Sequence, residues 1–160
     1  MPSISDVITN VITREGKPTN DPVDAGGRTA YGISEHANPD AWADGHVTEE
    51  EARAIYHRKY VISPGFDQIA DTQLQAQLID YGVTSGPAVA IQKLQEILHV
   101  TVDGVLGPET LGALKTVHAE DANNLLVAAR VRMIGKIVSK YPAQLKFVNG
   151  WLNRALEFLS

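Results

Sequence analysis

The chain of 160 residues contains no cysteine. That excludes disulfides, zinc-thiolate sites, iron-sulfur clusters and a cysteine nucleophile, and it leaves the redox compartment open. Aromatic residues make up only 6%, and no run of 18 consecutive apolar residues occurs, so stable membrane insertion is not expected. The start, Met1-Pro2-Ser3-Ile4-Ser5-Asp6, has no basic segment followed by an apolar stretch, so the chain is not expected to direct its own export. Repeats, heptads and low-complexity linkers are absent as well. The five histidines, His36, His46, His57, His99 and His118, fall at no metal-ligand spacing, and neither a metal nor a cofactor is expected.

What is present is 44% apolar and 21% charged, the composition of one soluble globular domain or of a domain with a small appended subdomain. A chain of this length buries about 70% of its unfolded surface and needs no covalent staple. The net charge of −5 argues against a nucleic-acid partner, but it hides a gradient. Residues 1–72 carry twelve acidic against six basic side chains, whereas residues 122–160 carry Arg130, Arg132, Lys136, Lys140, Lys146 and Arg154 against Glu157 alone. That basic tail is a candidate surface for an anionic polymer or membrane, with solvated helix faces as the plain alternative.

Helical periodicity dominates. Ile4, Val7, Ile8, Val11 and Ile12 behind Ser3 predict a helix ending near Thr13 or Arg14. Thr48 and Glu51 form a capping box for a second helix, which Pro64-Gly65 closes. A third spans about Thr72 to Tyr81 before Gly82, and Gly86-Pro87 opens a fourth with Ala90, Leu94, Ile97 and Leu98 inward. Asp103-Gly104 reads as a turn and Gly107-Pro108 as a helix start. Leu125, Leu126, Ala129, Met133, Ile137, Val138 and Tyr141 predict a long buried stripe; beyond Pro142 a final helix runs through Leu145, Val148, Leu152, Leu156 and Leu159.

Between the first two helices, Gly16, Pro18, Pro22, Gly26, Gly27 and Gly32 exclude a helix and suggest an irregular hairpin. Functional side chains concentrate on such loops. Glu15 sits where an amphipathic helix ends, so its stem can lie on apolar core with its tip facing the loop; burial of that kind raises a carboxyl pKa, as a general acid requires. Asp24 is a second carboxylate across the loop, and Thr29 a hydroxyl able to hold a water. Two carboxyls in unlike surroundings are the equipment of glycosidic bond hydrolysis. By spacing alone, a solvated helix end, an Asx-turn and a strand residue are the plainer reading of the three. Trp42 is a candidate to stack on a sugar, while Trp151, with Arg154 one turn on, reads as core, as does the Leu125 to Tyr141 stripe. Asp103-Gly104 lacks the further acidic ligands of a calcium site and reads as structural.

The stretch Glu15-Gly16 through Asn20-Asp21-Pro22, Asp24, Gly26-Gly27, Thr29 and Tyr31-Gly32-Ile33 resembles the N-terminal signature of glycoside hydrolase family 108, phage endolysins and prophage muramidases of lysozyme-like fold. Gly86-Pro87, Lys93-Leu94-Gln95, Asp103-Gly104-Val105-Leu106-Gly107-Pro108, Thr110-Leu111 and Gly150-Trp151-Leu152-Asn153-Arg154 are similar to the family's peptidoglycan-binding-like half. The resemblance implies a mainly α, lysozyme-like fold with a short hairpin or loop near residues 16–33. It also implies a catalytic region over 1–85 and a peptidoglycan-binding-like region over 86–160, packed as one body. The implied activity is hydrolysis of the β-1,4 bond between N-acetylmuramic acid and N-acetylglucosamine by a monomer without cofactor. Glu15 is the implied general acid, with Asp24 and Thr29 placing water, on the inverting route, or stabilising the transition state. Asn20, Asp21, Arg28 and Tyr31 are the implied sugar or peptide-stem contacts, with turn formation before Pro22 the equal alternative for Asn20 and Asp21; His36, a few residues past Tyr31, is a candidate to line the cleft as a substrate contact. A lytic transglycosylase and a non-catalytic wall-binding module built on the Asp103 to Thr110 motif are the alternatives. Synthesis in a host cytoplasm, with access to the periplasmic wall through a holin lesion, is the implied route. The chain departs from the family pattern at Lys17-Pro18, where Gly-Tyr is usual, and at Val61, where Trp is common after Tyr60; each departure removes an aromatic position that bears on how sugar rings are held.

Overall fold

Apolar spacing at the N-terminus produces α1 (Ile4–Glu15), which buries Val7, Ile8, Val11 and Ile12 as one stripe. Ser3 opens it reciprocally: Ser3 Oγ accepts from the Asp6 N–H at 3.2 Å while Asp6 Oδ2 accepts from the Ser3 N–H at 2.8 Å. The computed structural model describes residues 2–15 and 27–160. Asn20, Asp21, Asp24 and the departure at Lys17-Pro18 therefore lie outside the described residues. A two-stranded antiparallel hairpin follows, β1 (Thr29–Ala30) and β2 (Ile33–Ser34), with Thr29 opposite Ser34 and Ala30 opposite Ile33. Tyr31 and Gly32 join the strands with φ of 52° and 77°, the paired positive values of a type I′ turn.

The capping box at Thr48 and Glu51 is formed, and α2 (Glu49–His57) runs on into a π-helical turn over Arg58–Ile62. Asp71 caps α3 (Thr72–Ser85) by accepting from the Leu74 N–H at 2.8 Å. This helix passes straight through Gly82, where the sequence suggests an end. Glycine is there for close packing: a Cβ would stand 3.3 Å from the Phe66 ring and 3.5 Å from Pro87 Cα. The break comes at Gly86, with φ of 92°.

Helices α4 (Pro87–Leu98), α5 (Pro108–Leu114), α6 (Ala119–Lys140) and α7 (Val148–Leu156) complete a mainly α architecture around α3, which packs against α1, α4 and α6. Val11, Leu78, Leu94 and Leu126 belong to one continuous core, so both halves of the chain share it. Each such buried side chain contributes about 1.5–3 kcal/mol relative to exposure.

Two apolar patterns resolve differently from the periodic reading. On α6 the inward positions are Ala122, Asn123, Leu126, Val127, Arg130 and Ile134, and Leu125 and Tyr141 face outward. Hydropathy assigns Asn123 and Arg130 to solvent, yet each has buried partners, which turns the helix from the expected register. The final segment is not one helix but a 3-10 stretch, Pro142–Phe147, and then α7, leaving Leu145, Leu156 and Leu159 exposed.

Candidate active site

Glu15 is the last residue of α1, and the apolar stripe below fixes where that end points. Its Cβ and Cγ lie against the hairpin turn: a Cβ built on Gly32 would stand 3.1 and 2.9 Å from them and would collide with the Tyr56 hydroxyl. Glycine at that position therefore admits both side chains. Tyr56 donates to the Tyr31 carbonyl at 3.1 Å and stacks on Tyr60 with centroids 5.7 Å apart. Burial, then the negative charge of Glu15 and the neighbouring Tyr60, push the Tyr56 hydroxyl up to about 12, so it remains a donor. Glu15 itself is exposed, not half-buried on apolar core as its place in the sequence suggests.

On its other side Glu15 lines a cleft of about 340 Å³. The C-terminal turn of α3 contributes Tyr81 and Ser85, α6 contributes Arg130, Met133 and Ile137, and α7 contributes Trp151 and Arg154. Met133 and Ile137, which the periodicity assigns to core, are thus cleft wall, as is half-buried Trp151. Tyr81 donates to Met133 Sδ at 3.3 Å, with burial raising its hydroxyl pKa.

Beneath the cleft lies an ion-pair cluster that no local pattern announces. Asp80, on α3 and 2% exposed, accepts from Arg130 Nη2 at 2.8 Å and from Arg154 Nε at 2.9 Å. Arg14 Nη1 stands 3.9 Å from the same carboxylate, while its Nη2 donates to both oxygens of Glu157 at 3.0 and 2.9 Å. The residue before Glu15 is thereby tied to α3 and to the end of α7. Arg130 and Arg154 accordingly leave the exposed face of the basic tail: both pair with Asp80 inside the molecule.

The remaining sequence-nominated residues divide clearly. Thr29 and Tyr31 are half-buried on the hairpin, and His36 is exposed just after β2. Arg28 donates to both Glu35 oxygens, at 2.9 and 2.7 Å, and to the Gly45 carbonyl at 2.9 Å, so three of its N–H groups already serve the hairpin. That pairing raises the Arg28 pKa and lowers that of Glu35. Trp42, nominated as a sugar platform, is buried; its Nε1 donates to the Ile33 carbonyl at 3.2 Å and its ring carries Arg28 at 5.0 Å. Val61 is completely buried, so the departure there falls on a packing position.

The second motif is turned inward as well. Gln95, 1% exposed on α4, donates to Asp103 Oδ1, the Val105 carbonyl and Thr110 Oγ1 at 2.8–3.0 Å. Its oxygen accepts from the N–H groups of Asp103 and Gly104 at 3.0 and 2.9 Å. The Val105 N–H and the Gln95 side chain hold the Asp103 carboxyl below its usual range. Asp103 to Thr110 is therefore a self-satisfied structural turn, as its lack of further acidic ligands suggests.

Residues 8–86 match the family described as Glycosyl hydrolase 108, and residues 89–156 match the Predicted Peptidoglycan domain. No curated protein matches the chain. Among solved structures it is similar to one titled "Structure of Brucella abortus SagA", at 28% identity and a TM-score of 0.70, covering 96% of this chain and 94% of that one. The mainly α, lysozyme-like fold is the one observed. The chain belongs to glycosyl hydrolase family 108 through residues 8–86, carries a peptidoglycan domain over residues 89–156, and is a glycosidase acting on peptidoglycan.

Proposed function

We propose that the chain is an N-acetylmuramidase of the endolysin type, hydrolysing the β-1,4 bond between N-acetylmuramic acid and N-acetylglucosamine. The observation that carries this reading is the position of Glu15, at the end of an amphipathic helix and on the wall of the 340 Å³ cleft that both halves of the chain build. Glu15 protonates the glycosidic oxygen as the bond to the muramic acid C1 breaks. Asp24 and Thr29 position the water that adds to C1 from the opposite face, the water's proton passing to the Asp24 carboxylate, which gives an inverted hemiacetal. Tyr31 and His36 contact the sugars beside the hairpin. The enzyme acts as a monomer, is made in a host bacterial cytoplasm, and reaches the periplasmic wall through a holin lesion during phage lysis.

Product analysis on purified peptidoglycan tests the reaction. Reducing-end muramic acid is expected; 1,6-anhydro products would identify a transglycosylase, and binding without release of sugar a non-catalytic module. Glu15→Gln is expected to remain folded by circular dichroism and to lose about 10²–10⁴-fold in turnover. Wild-type turnover by that variant would remove Glu15 from the role.

A further inference from the structure

The cleft beside Glu15 has a cationic end. Arg130 and Arg154 both line it, with side chains only 5% and 17% exposed, and they share one counter-ion, Asp80. Arg14, the third guanidinium, is matched by Glu157 at 2.9 Å. Among the described residues this ion-pair cluster thus holds three cations against two carboxylates, and the two arginines that share one carboxylate line the same cleft as Glu15. Hydrogen bonding is incomplete at the same place. Among the described residues, buried Arg130 Nη1 has no hydrogen-bond partner, and Arg154 Nη2 approaches Asp80 Oδ1 at 2.8 Å without making a hydrogen bond. Buried donors left in this state are rare, and a guanidinium pair is shaped to complete itself on a planar carboxylate.

We propose that this end of the cleft is a carboxylate subsite for the peptide stem of the peptidoglycan strand, an inference that rests on the muramidase reading. The glycan itself is uncharged, and in the strand the free carboxylates belong to the stem attached through the lactyl group of muramic acid. A strand with its glycosidic bond at Glu15 carries that stem beside the scissile linkage. Trp151 and Ile137 supply apolar wall for the stem's methyl and methylene groups. Arg154 is the specificity residue, since it is the more accessible of the pair, while Arg130 is stacked between Tyr81 and Phe158 at 4.9 and 5.7 Å.

Two measurements on the full chain test this. The first compares kcat/KM on glycan strands whose stems carry free carboxylates and on the same strands with every stem carboxylate amidated. Wild type is expected to favour the free-carboxylate strands about tenfold, and Arg154→Gln to bring the ratio near one. The second needs no turnover: calorimetric binding of the free stem tetrapeptide and of its fully amidated counterpart. The tetrapeptide is expected to bind at least about tenfold more tightly than the amide, and Arg154→Gln to abolish the difference. Ser85→Asp adds an anion to the same wall while leaving Asp80 and both arginines intact, and is expected to weaken tetrapeptide binding about fivefold should Arg154→Gln fail to fold. Equal binding of acid and amide, equal binding by wild type and Ser85→Asp, or binding of inorganic phosphate as tight as that of the tetrapeptide overturns the subsite. Selective tetrapeptide binding in a chain that cuts no glycan would retain the carboxylate site and reject the muramidase reading.

Discussion

The two motif-bearing regions use their polar residues in opposite directions. In the N-terminal region Glu15 and His36 face outward around the hairpin, and Tyr31 is half-buried against Tyr56. In the C-terminal region the motif's polar groups bond to one another: Gln95 and Thr110 are nearly sealed from solvent, and the exposed Asp103 carboxylate is held by the Gln95 amide. The first arrangement leaves functional groups available at a surface; the second satisfies its own donors and acceptors and holds a turn. Motif length is thus no guide to chemistry: both stretches are distinctive in sequence, but the second spends its hydrogen bonds on its own turn. The C-terminal half still enters the site, through the walls of α6 and α7, through Arg130, which no motif contains, and through Arg154, the last residue of the Gly150 to Arg154 stretch.

The comparison breaks most sharply at Asp80, where the regions are joined. Asp80→Asn leaves Arg130 and Arg154 buried without a counter-ion, an expected cost of about 3–5 kcal/mol in urea unfolding. A cost below about 1 kcal/mol would mean that the two halves are held by apolar packing alone. Gln95→Leu tests the inward motif: orphaning the Asp103 and Gly104 N–H groups should cost about 1–3 kcal/mol of stability while changing the pH profile of turnover little. A large loss of turnover in a fully folded variant would give that turn a direct part in the site.

The smallest effect sharpens the outward region. Tyr56 titrates from 10.0 when unfolded to about 12 when folded, so the folded state holds its proton more tightly. Its stabilising contribution is complete below pH 10 and is lost as pH rises from 10 towards 12. Tyr81, also raised, adds in the same direction. Tyr56→Phe should therefore flatten the fall of melting temperature with pH above 10, and an unchanged slope would show that another group controls it.

Much of the fold was legible because it is written in short-range interactions. Caps at Ser3 and Thr48, proline at the start of α4 and α5, and the stripe of α1 each involve residues within a turn or two. Where reading failed, a distant partner had overruled a local preference. Gly82 continues a helix because Phe66 and Pro87 press on it, and Trp42 is buried because Ile33 and Arg28 occupy it.

Glu15 at a helix end, ahead of a breaker-rich loop, followed from the order of residues alone, as did a mainly α chain with one short hairpin. The cleft, the burial of Arg130 and the meeting of Asp80 with partners 50 and 74 residues away were decided only by tertiary structure. The physical reason is that a hydrogen-bonded turn closes within a few residues, whereas pairing a buried charge requires the whole core to assemble around it.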